Sequence, residues 1–351
     1  MNMKGMNMKG MLAALVSAVS LASVAAGEKH PWTHLNFQND PDDFRFAIVP
    51  DRSGGDYRGA FTNALRCVNL MHPDFVMSVG DLIEGFAGDA NGFRRQQDEL
   101  TNMVSRVRAP FFYVIGNHDI NRPTEWAPNG KKISEQVWKE YFGDQTYHSF
   151  VYKNCLFLVL NTQDGREDAP HYQVGMLPKQ YEWVRKTLAK HKDVRWTFFF
   201  MHHPIEWKRD SWQRLEKEVL SQRKYTVFAG DWHCYFHVKR NGRNYYILSV
   251  AGGVCGWYNN HKEPNAPTSP KVAGPEYGEM DHITWVTMTA DGPEVVNLCL
   301  DGILPGDYLN RATSKDDFYI TDEFQVEEPP DPKAEATRCR LRAEKAKSKG
   351  K

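Results

Sequence analysis

Phe111-Phe112-Tyr113-Val114-Ile115-Gly116-Asn117-His118-Asp119 is an apolar run that gives way, after one glycine, to an amide, an imidazole and a carboxylate. The first five residues are all aromatic or β-branched, which predicts a strand buried on both faces. Loops at the carboxyl ends of strands in an open α/β sheet meet at one edge. Metal-capable groups placed just past a strand therefore stand where ligands distant in sequence can converge.

Working outward, the same pattern recurs. Asp51-Arg52-Ser53-Gly54-Gly55 follows the run Phe44 to Val49, and Gly80-Asp81-Leu82-Ile83-Glu84-Gly85 follows Phe75 to Val79. His202-His203-Pro204 follows Trp196 to Met201, and Gly230-Asp231-Trp232-His233 follows Thr226 to Ala229. One aspartate after a strand reads as a turn or a helix cap. Five such segments, each at a strand end, read as one ligand set. Cys155 to Leu160 is a further buried strand. Stretches with apolar residues at three- and four-residue spacing lie between these runs: Ala60 to Met71, Phe93 to Val107, Pro178 to Lys190 and Trp212 to Arg223. Strands alternating with helices predict an α/β layered domain. Past the tight-turn signal Asn241-Gly242 only strands follow, at Tyr245 to Val250, His282 to Thr289 and Val295 to Leu300. They predict a second sheet packed on the first.

The rest of the chain sets boundaries. A length of 351 residues allows one large core or two modest ones. Lysines and arginines number 44, as do aspartates and glutamates, so no basic nucleic-acid-binding surface is expected. Residues 1–26 read as a signal peptide: Lys4 and Lys9 precede a short apolar run, Met11 to Val24, closed by small residues with cleavage after Ala25 or Ala26. An uncleaved anchor is the alternative, but the run is short for a membrane span. The expected location is periplasmic or extracellular, with no transmembrane helix in the mature chain. Residues 27–43 form an N-terminal extension, and 306–351 a C-terminal tail expected to be disordered from about Val326, where apolar residues almost vanish. The six cysteines show no paired spacing, and most sit in apolar runs as small hydrophobes.

In order and content the five strand-end segments resemble the calcineurin-like metallophosphoesterase superfamily, over 44–305. Gly116-Asn117-His118-Asp119 is the most diagnostic piece. The first two segments resemble a bacterial exported branch, distantly like purple acid phosphatases. The resemblance implies a four-layer fold, two packed mixed β-sheets flanked by helices. It also implies a dinuclear metal centre that hydrolyses a small-molecule phosphate mono- or diester. Carried over position by position, Asp51 and His233 resemble ligands of one ion, Asp81 the carboxylate shared by both, and Asn117 and His202 ligands of the second. His118 matches the catalytic imidazole, with Asp119 expected to hold its tautomer by a hydrogen bond.

Two positions depart from the family's pattern. Ser53 stands where an imidazole is usual, and Asp231 replaces the first imidazole of Gly-His-x-His. Purple acid phosphatases lack the first imidazole too and use a tyrosine three residues after the shared aspartate; here that residue is Glu84, a ligand candidate. Asp231 can bind through oxygen, which favours manganese or iron over zinc. Arg52, as a forked phosphate clamp, and His203 are the substrate-binding candidates, whereas His237 and His282 read as structural. Trp207, Trp232 and Trp257 could wall a pocket. The departures also keep open a degenerate member that binds a metal or a phosphorylated ligand without turnover.

Overall fold

Alternate side chains of the predicted strands enter different layers. Between Phe44 and Val49, Phe44, Phe46 and Ile48 face one apolar layer while Ala47 and Val49 face another. Between Cys155 and Leu160, Phe157 and Val159 join the layer of Phe46, and Leu156 and Leu158 enter a third. An extended chain with a period of two, apolar on both sides, needs cover on both faces. Helices supply it on the outside, and a second sheet on the inside.

The computed structural model describes residues 39–55, 59–121, 129–163, 175–205, 210–253 and 278–300. The expected signal peptide, the extension up to residue 38, Trp207, Trp257 and all residues after 300 lie outside the described residues. The strands are β1 (Phe44–Val49), β2 (Phe75–Ser78), β3 (Phe111–Phe112), β4 (His148–Tyr152), β5 (Cys155–Val159), β6 (Trp196–Phe200), β7 (Tyr225–Ala229), β8 (Phe236–Arg240), β9 (Arg243–Ile247), β10 (His282–Met288) and β11 (Pro293–Cys299). The helices are α1 (Ala60–Met71), α2 (Ala90–Val104), α3 (Gly130–Phe142), α4 (Pro178–Lys190) and α5 (Asp210–Leu215), the last continued by a π-helical turn over Glu216–Leu220.

One sheet has the order β11-β10-β1-β2-β3 and the other β4-β5-β6-β7-β9-β8. β1, β2 and β3 run parallel, as do β5, β6, β7 and β9. Antiparallel strands close three of the four edges, at β11, β4 and β8, while β3 is a parallel edge, so both sheets are mixed. Phe61, Leu65 and Val68 of α1, Phe93 and Leu100 of α2 and Val137 of α3 cover the outer face of the first sheet. Tyr181, Val184 and Leu188 of α4 with Trp212 and Leu215 of α5 cover the second. The layers run helix, sheet, sheet, helix, as the resemblance implies.

Two expectations need correction. The C-terminal strands do not form the second sheet: β10 and β11 extend the first through β1, with Phe44 opposite Met288, while β9 adds to the second beside β7. A period of two identifies a strand but not its neighbour. The ladder of β3 also ends early, because the Val114 amide donates to the Ser78 hydroxyl at 2.9 Å instead of to a strand carbonyl.

The space between the sheets is filled largely by aromatic rings. Phe157 sits at its centre, with ring centroids 5.6 Å from Phe46, 5.1 Å from Phe75, 4.7 Å from Phe150 and 4.9 Å from Phe198. Phe157→Ala is expected to cost about 3–5 kcal/mol of stability. The difference in urea-unfolding free energy from the wild type measures it, and a loss under about 1 kcal/mol would mean the layer repacks freely.

Candidate metal centre

The carboxyl ends of β1, β2, β3, β6 and β7 come together at one edge of the sandwich. Asp51, just past β1, is tied down by the Ala251 amide, which donates to its carbonyl at 2.8 Å. Asp81 follows β2, His202 follows β6, and Asp231 and His233 follow β7. Asp81, Asp231 and His233 carry left-handed backbone, with φ of 55°, 70° and 51°. That conformation costs an L-residue roughly 1–2 kcal/mol, and such strain collects where side chains must be aimed. Two glycines make the room. A Cβ on Gly116 would stand 2.1 Å from Asp81 Oδ1, and one on Gly230 would stand 2.2 Å from Asp51 Oδ1.

His202 is at the middle. Its Nδ1 lies 2.9 Å from the Val79 carbonyl, a pure acceptor, so Nδ1 carries the proton and the Nε2 lone pair points the other way. Nε2 then faces Asn117 Oδ1 at 3.0 Å, Asp81 Oδ2 at 3.3 Å and Asp231 Oδ1 at 3.7 Å. On the other flank His233 Nε2 stands 3.4 Å from Asp51 Oδ2. His118 Nε2 stands 3.8 Å from Asp81 Oδ2. The donor atoms of Asp51, Asp81 and His202 form one compact group, and those of His202, His203 and Asp231 form another.

The charges respond to this crowding. Burial pushes the Asp51 carboxyl well above the usual carboxylate range; Asp81 and Asp231 add to it and His202 opposes it. Burial, reinforced by the charge of Asp81, raises Asp119 and Asp231 to about 6. Burial also acts to raise Asp81, but the facing His202 and His118 imidazoles outweigh it and hold that carboxyl well below its usual range. His202 goes the opposite way: burial lowers it, yet Asp81 and Asp51 lift it well above the usual imidazole range.

Electron-pair donors aimed at one another repel unless positive charge lies among them. A second proton on His202 would serve one face only. Asp51 Oδ1, fully buried, would still have no hydrogen-bond partner among the described residues, and an orphaned buried carboxylate oxygen is costly. Metal cations would satisfy both faces, and a mixed oxygen and imidazole donor set suits manganese, iron or zinc.

Several sequence-predicted site residues take other places. Arg52 is buried, and its guanidinium is committed to Glu99 at 2.6 Å and to the Leu82 carbonyl at 3.3 Å, over the ring of Phe61. It is no open phosphate clamp. Asp119 does not hold the His118 ring: its carboxylate accepts from the amides of Asp81 and Gly116, both at 2.8 Å, and of Leu82 at 3.3 Å. The His118 tautomer is instead set by the Glu84 carbonyl, 2.6 Å from Nδ1. The Glu84 carboxylate accepts from the Gly55 amide at 2.6 Å, and neither donor group includes it. His203 enters the centre beside Asp231, with Nε2 3.7 Å from Oδ1. His237 stacks on Tyr246, and buried His282 is lowered to about 4 by desolvation. Trp232 packs edge-on against Phe236. The described cysteines, Cys67, Cys155, Cys234 and Cys299, form no disulfide with one another, and the first three are buried.

Other contributors escape sequence reasoning. Ser53 donates its hydroxyl to Asp81 Oδ2 at 3.2 Å. Asn121 braces the loop by donating to the Asn117 carbonyl at 2.9 Å and accepting from the Phe86 amide at 2.5 Å. Thr162 holds His203. Its place just past β5 was the one available signal.

Carboxylates, imidazoles and an amide gathered at one end of a two-sheet α/β sandwich define a metal-binding protein. The model of the calcineurin-like phosphoesterase family matches residues 34–237, more than half of the chain. The chain belongs to that family of phosphoester hydrolases. No curated protein matches it. Among solved structures it is similar to PhoD, at 12% identity and a TM-score of 0.54, covering 73% of this chain and 68% of that one. It is also similar to a dimetal phosphatase from Danio rerio (15% identity, TM-score 0.47, 73% and 99% covered). A third is GAP50, the anchor in the inner membrane complex of Plasmodium (12% identity, TM-score 0.49, 82% and 90% covered). At 12% identity the likeness to PhoD speaks to fold alone.

Proposed function

We propose that this chain is an exported phosphoesterase that hydrolyses small phosphate mono- or diesters with two metal ions. The observation that carries it is the convergence of Asp81, Asn117 and Asp231 oxygens on the His202 Nε2 lone pair, beside a second group at Asp51 and His233. Asp51, Asp81 and His233 would hold one ion, and Asp81, Asn117, His202 and Asp231 the other. Ions held by these residues would supply positive charge for the phosphate oxygens and a lowered pKa for an attacking water.

The protein's own groups do the rest. Asp119 fixes the Gly116–Asp119 turn against the Asp81 backbone, so the two segments that supply Asp81 and Asn117 move as one. His118, with Nδ1–H committed to the Glu84 carbonyl, presents Nε2 to the centre and, in its doubly protonated form, hands the Nε2 proton to the departing oxygen, leaving the neutral Nδ1–H ring. Asp231 brings an oxygen to the second position, which favours manganese or iron over zinc. Its charge lowers the pull on a phosphate dianion more than on a monoanionic diester, so diesters are favoured. Export rests on the first 26 residues, and protein recovered outside the cytoplasm should begin at Ala26 or Gly27.

A second reading is a binder without turnover. Among the described residues the first position counts three side-chain donors, Asp51, Asp81 and His233, with Ser53 engaged on Asp81 and Glu84 on Gly55. One experiment separates the two readings: metal content, with hydrolysis of p-nitrophenyl phosphate and of bis-p-nitrophenyl phosphate, after loading with manganese, iron or zinc. Two equivalents per chain and turnover, highest on the diester with manganese or iron, are expected. A single equivalent and no hydrolysis with any metal would establish the binder instead.

A further inference from the structure

His203 is buried behind Asp231, and its ring is held from two sides. Thr162 Oγ1 meets Nδ1 at 2.9 Å and also accepts from the His203 backbone amide at 3.1 Å. One hydroxyl therefore fixes both the backbone and the ring, and Nδ1 is spent. The remaining nitrogen, Nε2, faces Asp231 Oδ1 at 3.7 Å. His202 Nε2 faces the same oxygen at the same 3.7 Å. One ligand atom from each of His202, His203 and Asp231 lies within 4.8 Å of the other two.

Those separations carry information. At 3.7 Å neither nitrogen makes a hydrogen bond to the carboxylate. Donors that share one cation, each about 2.1 Å from it, sit roughly 3.0–3.7 Å apart, depending on the angle between them. Each imidazole nitrogen therefore stands from Asp231 Oδ1 at a separation that two donors around a common ion would have.

We propose that His203 is a metal ligand through Nε2, sharing the second ion with His202 and Asp231, and that Thr162 is its positioning residue. The assignment rests on the two-metal reading above and adds to it a second imidazole on the ion that Asp231 holds. It takes His203 away from the substrate. It also gives the adjacent His202-His203 pair a division of labour, with Val79 orienting one ring and Thr162 the other. Both rings then reach the ion through Nε2, each locked by a bond at Nδ1, as second-layer partners of metal-bound imidazoles commonly do.

The test measures metal content by elemental analysis and affinity by competition with a chromophoric chelator, on full-length protein loaded with manganese or zinc. Wild type should hold two equivalents. His203→Ala should hold one, with the affinity of the second position down about 100-fold or more, since losing a ligand costs at least what losing its outer partner does. Thr162→Val, which keeps the volume and removes the hydroxyl, should weaken the same position by about 10- to 100-fold. His203→Ala combined with Asp231→His, which restores a nitrogen donor, should recover the second equivalent. Two equivalents of unchanged affinity in His203→Ala, with only KM raised, would return His203 to the substrate and overturn the assignment. If His203→Ala loses its cooperative thermal transition, Thr162→Val decides, and unchanged affinity there overturns it equally. Wild type that holds two equivalents but hydrolyses no ester would instead sink the hydrolytic reading and leave the ligand assignment standing.

Discussion

Asp81→Ala is expected to lose metal and hydrolysis together. Asp81 is the residue on which both halves of the centre lean. Its Oδ1 accepts from the His118 backbone amide at 2.8 Å, and its Oδ2 faces the Ser53 hydroxyl, His202 Nε2 and His118 Nε2 at 3.2, 3.3 and 3.8 Å. Among the described residues it is the carboxylate that touches both the Ser53 hydroxyl of the β1 loop and the His118 amide of the β3 loop. Without it, neither proposed ion keeps its shared oxygen. Metal assistance is worth several kcal/mol of transition-state stabilisation, and about 1.4 kcal/mol is a factor of ten. kcat/KM should therefore fall by about 10³ or more, with metal content below one equivalent after dialysis. Asp81→Asn is the companion, since it keeps the shape and the bond from the His118 amide while removing the charge. It should retain a cooperative thermal transition and still lose metal. Full occupancy in Asp81→Asn would show that the ions are held elsewhere.

His118→Ala should do the reverse and separate chemistry from metal. The His118 ring is partly exposed and packs edge-on against Phe86, with ring centroids 4.9 Å apart, and it belongs to neither donor group. A general acid contributes about 10²–10⁴ in rate, so kcat should fall by that much with both equivalents of metal kept. The leaving group supplies the sharper readout. A proton donor matters most where the departing oxygen is basic. The loss should be large for alkyl phosphate esters and small for p-nitrophenyl esters, whose phenolate leaves without help. Equal losses on both substrates would remove His118 from that role, and loss of metal as ready as in Asp81→Ala would make it a ligand.

Much of this protein is legible along the chain. Phe44–Val49, Ala60–Met71 and Pro178–Lys190 stand where periodicity puts them, because the apolar period depends only on near neighbours and on there being cover on each face. β4, β8 and α3 are not read, since their exposed positions carry too little apolar pattern to stand out. Asp51, Asp81, Asn117, His202, Asp231 and His233 could be picked out as a set because each directly follows an apolar run, and parallel strands bring such ends to one edge.

What the chain alone leaves open is where each side chain turns once it arrives. Arg52 lies next to Asp51 yet is claimed by Glu99, 47 positions away. Asp119 lies next to His118 yet serves the amides of Gly116, Asp81 and Leu82, while the carbonyl of Glu84 takes the imidazole. His203 turns inward because Thr162, from the end of a different strand, is there to meet it. Strand periods and turn residues are local properties and can be read in order. A buried polar atom must find its partner wherever packing has placed one, so those pairings, and with them the division between ligand, proton donor and brace, are decided only in the folded chain.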